Sequence, residues 1–133
     1  MNWDKKKFLE ILSNEVEFMD RVKGAKFFAA LVDNKGYLVY LNNYWEQKLG
    51  FSLDEMTSKP FKYFLHPDDL EKSMKVYYES RLFNKQSTEP QGFTNRYKTD
   101  EKGKYAILEW HEADYSDNGL SAAIAIFKGY EYT

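Results

Sequence analysis

The chain has 133 residues, 18% of them aromatic, and its 19 basic and 21 acidic side chains leave a net charge of −2. That length makes one domain able to bury roughly two-thirds of its unfolded surface, and that balance gives no general attraction to nucleic acid or anionic membrane. There is no cysteine, which excludes disulfides, thiolate metal ligands and cysteine nucleophiles; the apolar runs fall far short of the ~20 residues of a membrane helix, so the cytoplasm is the expected setting.

From Asp4 to Lys23 apolar residues recur at helical spacing. Leu9, Leu12, Val16 and Met19 form a seam, with Phe8, Ile11, Phe18 and Val22 as a second stripe beside it. A face that wide exceeds one flat contact. Either the seam meets a second copy of the chain, giving a homodimer, or both stripes cover the outer face of a sheet. Gly24 is placed to close the helix. The division is residues 1–25 as an amphipathic helix and 26–133 as the main domain.

Lys26 to Val32 reads as an apolar strand, and Asp33-Asn34-Lys35-Gly36 turns it into a second, Tyr37 to Asn42. Asn43 with Glu46 resembles a capping box for a helix ending at Gly50, and Ser52 with Glu55 repeats the device for Leu53 to Thr57. Pro60 breaks that element, leaving Phe61 to Leu65 as a short helical connector. Pro67 starts a longer helix with Asp68, Asp69 and Glu71 in its first turn, and Leu70, Met74, Tyr77, Tyr78 and Leu82 mark its expected buried side. After a polar loop, Asn84 to Gln91, three strands are expected: Gly92 to Thr99, Lys104 to Tyr115 and Leu120 to Lys128. Asp100 to Gly103 and Ser116 to Gly119 join them as tight turns.

The motifs Asp33-x-x-Gly36, Asn42, Gly50-Phe51-Ser52-x-x-Glu55, His66-Pro67-Asp68-Asp69, Asp100-x-x-Gly103 and Asp117-x-Gly119 follow one another as they do in PAS domains. The chain resembles that family over about Lys26 to Lys128. The resemblance implies an α+β fold: a five-stranded antiparallel sheet of order 2-1-5-4-3 with helices on one face, preceded here by the amphipathic flanking helix. It also implies a sensory or signal-transduction module that works through protein–protein contacts, with no catalysis. Many PAS domains end in Asp-Ile-Thr before an output helix; here Gly129 stands at the Asp position, and the output partner is unspecified.

The same resemblance bears on cofactors. Light-sensing LOV relatives form a flavin adduct on a cysteine before the long helix; Lys62 lies nearest that position, so adduct chemistry is excluded. Haem-binding relatives place a histidine in the long helix; Met74 stands there, and that helix has no histidine. Non-covalent flavin and a small metabolite both stay open, and the cofactor is unassigned. His66 reads as a capping or surface residue. His111, flanked by Glu109 and Glu112, reads as solvent-facing decoration, because two histidines without metal-ligand spacing make no metal site.

PAS ligands sit between the sheet and the helices. Strand alternation places Ala106, Leu108 and Trp110 inward, because the alternate set holds Glu109 and His111. In the last strand Ala123, Ala125 and Phe127 are the LOV-like inward set, although Ala122, Ile124 and Ile126 satisfy periodicity equally. Phe93, Asn95 and Tyr97 would line the adjoining strand, with Asn95 as a polar hook. The candidate cavity residues are thus Trp45, Met74, Tyr77, Asn95, Tyr97, Leu108, Trp110, Ala123, Ala125 and Phe127. The same residues suit a core packed solid, so a ligand-free dimerisation or scaffold module is the alternative.

Overall fold

The computed structural model describes residues 15–82, 93–115 and 120–133. Leu9 and Leu12 of the expected seam, and the Ser116 to Gly119 turn, lie outside these residues. Helix α1 (Glu15–Val22) ends where the Ala25 N–H donates to the Val22 carbonyl at 3.1 Å. Gly24 does not take the left-handed conformation expected of it.

Strand β1 (Phe28–Val32) is buried at all five positions. An apolar run without alternation is the mark of a strand covered on both faces. The turn into β2 (Leu38–Leu41) is held by Asp33, whose Oδ1 accepts the N–H groups of Lys35 and Tyr37, both at 2.9 Å. Gly36 takes φ 84° there, a conformation that favours glycine.

Helix α2 (Asn43–Leu49) begins at the residue expected to be its cap. Asn42, not Asn43, is the N-cap, and its side chain makes no capping bond. The reason is competition: Asn42 is buried, its Oδ1 accepts the Ala29 N–H, and its amide donates to the Val22 and Phe27 carbonyls. Helix α3 (Leu53–Thr57) carries the expected capping box, Ser52 and Glu55 exchanging bonds at 3.1 and 3.0 Å. Two 3-10 turns follow, Phe61–Phe64 and Pro67–Asp69, and the second runs into α4 (Leu70–Leu82).

The expected face of α4 is corrected. Leu70 and Tyr78 are 38% and 54% exposed, whereas Ser73 is buried. The 3-10 turn sets the phase: it presses Asp69 against the sheet, where Arg96 takes it, and residues four and about eight positions on then face inward.

Strands β3 (Phe93–Lys98), β4 (Lys104–Tyr115) and β5 (Ser121–Tyr132) complete one antiparallel sheet of order β2-β1-β5-β4-β3. This is the order the resemblance implied. The inner face carries Phe28, Ala30, Ala106, Leu108 and Ala125 against Trp45, Leu49, Met56, Phe61 and Phe64. The outer face carries Ala29, Leu31, Ala122 and Ile124 beneath Met19 and Val22 of α1. The parity of β5 is thereby settled as the Ala123, Ala125 and Phe127 set inward. Alternation holds only locally. The β4–β5 register shifts between Trp110 and Glu112, and again where Leu108 pairs with Phe127 but Ile107 with Gly129. Gly129 sits at this second irregularity with φ 123°.

Candidate functional site

Between the inner face of the sheet and α4 lies a cavity of about 100 Å³. Ala30, Val32, Leu38, Ser121 and Ala123 form its floor on β1, β2 and β5. Phe93, Asn95, Tyr97 and Trp110 wall it on β3 and β4, and Phe61, Ser73, Val76 and Tyr77 roof it. The space has a simple origin. Ala30 and Ala123 are cross-strand partners, and two methyl groups stand where a pair of larger side chains would meet the helix.

Hydrogen bonds tie the wall to itself. The Trp110 indole N–H donates to Asn95 Oδ1 at 2.8 Å, and the Asn95 amide donates to Ser73 Oγ at 3.1 Å. Asn95, expected as a free hook, instead clamps β3 to β4 and α4. Tyr77 donates its hydroxyl to the Asp33 carbonyl at 2.9 Å, holding α4 over the β1–β2 turn. Tyr97 differs. Its side chain is 2% exposed, yet its hydroxyl makes no hydrogen bond among the described residues. Burial alone raises its pKa well above the ordinary phenol value.

The structure brings Tyr77, Asn95, Tyr97, Trp110 and Ala123 together at the cavity and puts the other five candidates elsewhere. Trp45 is fully buried behind Tyr97, its ring 5.4 Å away and its N–H donated to the Ala29 carbonyl. Leu108 and Ala125 fill the core. Phe127 packs edge-on against Phe28 and Tyr130, with the Lys48 ammonium 4.7 Å above its ring. Met74 lines a separate, more polar groove of about 120 Å³ with Lys35, Lys62 and Tyr78. Met74 is half-buried and also packs against the main core. Of the dimer seam, Met19 packs on the sheet's outer face, and the Tyr40 hydroxyl donates to its carbonyl at 3.1 Å. Val16 lies in α1 with its side chain outside the description.

The two histidines occupy different settings. His66 accepts the Asp68 N–H on Nδ1 at 3.0 Å and lays its ring against Tyr105, 4.5 Å between centroids. His111 contacts Glu109 at 3.0 Å where the strand register shifts. No group of three His, Asp or Glu able to hold a metal occurs among the described residues.

Sequence reasoning missed a charged cluster on the rim of the sheet. Arg96 donates from Nε and Nη2 to the two oxygens of Asp69, at 2.9 and 2.8 Å, and from Nη1 to Glu131 at 2.6 Å. The Arg96 hydrogen bonds hold the Asp69 carboxyl below the usual range, against the opposing effect of its burial. The cluster ties the start of α4, β3 and the end of β5 together. An acidic pair after Pro67 was visible in sequence, but Arg96, the partner of Asp69, lies 27 residues further along the chain, and Glu131 lies 35 beyond Arg96.

No protein-family model matches the sequence, and no curated protein does. Among solved structures, a domain of a sensory box sensor histidine kinase/response regulator from Geobacter sulfurreducens superposes with a TM-score of 0.63. It is 15% identical, covering 89% of this chain and 96% of its own. A PAS domain from Desulfitobacterium hafniense gives 0.58 at 13% identity, covering 86% and 99%. The PAS-B domain of Drosophila melanogaster Cycle, solved with bound ethylene glycol, gives 0.57 at 15%, covering 76% and 97%. Likeness at such identities speaks to architecture, and the architecture is plain: this chain has the PAS fold.

Proposed function

We propose that this domain is a sensory module of signal transduction that takes a small molecule between sheet and helices and reports it through protein–protein contacts in the cytoplasm. The role is binding, not catalysis. The observation that carries this reading is the cavity under α4, which the Ala30–Ala123 pair leaves open where larger side chains would close it. The Cycle PAS-B neighbour, solved with ethylene glycol, supports a ligand of modest size. Native mass spectrometry of the purified chain, followed by thermal shift against a metabolite panel, tests it. A retained or stabilising ligand supports the reading; a bare-chain mass with no shift across the panel removes it.

A ligand-free scaffold is the second reading. It is favoured by the five candidate residues that pack as core or line the other groove. In either reading the N-terminal helix is the proposed homodimer contact, through Leu9, Leu12 and Val16 of the seam, while Met19 and Val22 pack on the sheet. No helix among the described residues is long and apolar enough to cross a membrane.

A further inference from the structure

We propose that the cavity beneath α4 takes an uncharged molecule no larger than a single ring, apolar over its body and carrying at most one hydroxyl, which pairs with the Tyr97 hydroxyl. The proposal rests on the sensory reading above and names the ligand class for that site.

Size comes first. A cavity of about 100 Å³ is of the same order as the ~150 Å³ apolar space that admits benzene, which makes one ring the upper bound. A flavin or a haem exceeds it severalfold. Charge comes second. Every described residue lining the space is uncharged. A carboxylate or phosphate brought there would lose its hydration with no cation among the described lining residues to replace it. Acids, nucleotides and amino acids are excluded on that ground.

The wall's own polar groups narrow the choice further. The indole of Trp110, both ends of the Asn95 amide and the Tyr77 hydroxyl are already engaged with protein partners. Tyr97 alone among these lining groups is buried with an idle hydroxyl. Buried tyrosines ordinarily find a partner for that group, and a buried polar atom without one calls for an explanation such as a missing guest. The raised pKa of Tyr97, caused by burial, keeps the phenol protonated and thus able both to donate and to accept. Its neighbours are Trp45, in an edge-type contact at 5.4 Å, and Trp110, tilted at 6.4 Å from its ring, so an aromatic guest would join an existing cluster.

The experiment is a calorimetric titration of the full chain with toluene, phenol, benzoate and riboflavin at neutral pH, repeated on Tyr97→Phe and Ala123→Leu. Toluene and phenol are expected to bind and compete, with phenol about fivefold tighter, the worth of one net hydrogen bond. Benzoate and riboflavin are expected not to bind. In Tyr97→Phe the phenol-to-toluene affinity ratio should fall to about one, and Ala123→Leu should abolish both by filling the space. Benzoate or riboflavin binding more tightly than phenol would overturn the ligand class while leaving the sensory reading intact. A ratio unaltered in Tyr97→Phe would overturn the role of Tyr97. No binding by any probe, with a bare-chain mass for the purified protein, would overturn both readings together.

Discussion

The side-chain amide of Asn42 donates to the backbone carbonyl of Val22 at 2.8 Å, fastening the last turn of α1 to the junction of β2 and α2. The same side chain accepts the Ala29 N–H at 3.0 Å and gives its other proton to the Phe27 carbonyl at 2.9 Å. One buried residue thus joins the N-terminal helix, the β1 strand and the helical cluster. Replacing Asn42 by Leu keeps the branched shape of the side chain and strands the Ala29 N–H. An unsatisfied buried group costs about 1–3 kcal/mol, so Asn42→Leu is expected to lower stability by about 3 kcal/mol in urea denaturation. Hydrogen exchange at Ala29 should accelerate in parallel.

Asp69 gives the domain an acid-sensitive lock. Its folded pKa is depressed by the Arg96 hydrogen bonds, so its contribution is complete above the unfolded carboxylate value of ~3.9 and is lost as pH falls below that toward the folded value. Asp69→Asn removes the charge and should flatten that part of the acid limb. Stability measured between about pH 2 and pH 5 should vary less in the variant than in the parent. At pH 7 the variant should be the less stable, because Arg96 keeps only Glu131.

Much of this architecture is written in local chemistry. The Asp33 turn with Gly36, the Ser52–Glu55 box and the Pro67 start are each decided by residues within four positions of one another, and each stands where the sequence places it. Face assignments failed where a non-local contact set the phase. Leu70 belongs to the helical apolar pattern, yet with Asp69 held by Arg96 it faces outward, while Met74 and Tyr77 of the same pattern pack against the core. Asn43 suits a capping box, but Asn42 had stronger use for its side chain across the sheet. At the cavity, alternation along β3 found Asn95 and Tyr97. It could not find Ala30 opposite Ala123, which depends on the register of two strands some ninety residues apart. Trp45 illustrates the converse: a large aromatic at a plausible position, consumed by ring packing against Phe28 and Tyr97.

Tyr97 carries a hydroxyl that costs the free protein stability. Tyr97→Phe deletes an unpartnered buried group while keeping the ring, so the ligand-free variant is expected to be about 1 kcal/mol more stable. The pH dependence has a definite sign. Because the folded phenol holds its proton above the unfolded value of ~10, the parent loses stability as pH rises past that value. The phenylalanine variant should lose less of it, which thermal denaturation between about pH 8 and pH 11 would reveal.

Removing Met1 to Val22 uncovers Leu31 and Ile124, both buried under α1. Burial of such a side chain is worth about 1.5–3 kcal/mol, and the truncated chain is expected to lose at least about 3 kcal/mol and to aggregate more readily. Light scattering on soluble material should also show a monomer in place of the proposed dimer. A truncated chain that stays dimeric would move the contact elsewhere.

Ala123→Val adds two methyl groups to the floor of the cavity. Filling an apolar void with a residue suited to strands typically adds about 0.5–2 kcal/mol, and Ala123→Val is expected to raise the melting temperature accordingly. Destabilisation would mean that the space beneath α4 is already occupied by packed side chains.

The most direct test is a crystal of the full chain under xenon pressure, read by anomalous scattering. Xenon binds in apolar cavities. One xenon atom is expected between Ala123, Val76 and Tyr97, and it should vanish in Ala123→Leu. A well-ordered structure with no xenon at that position, or with side chains filling it, would contradict the reading of this domain as a receptor for a ring-sized guest.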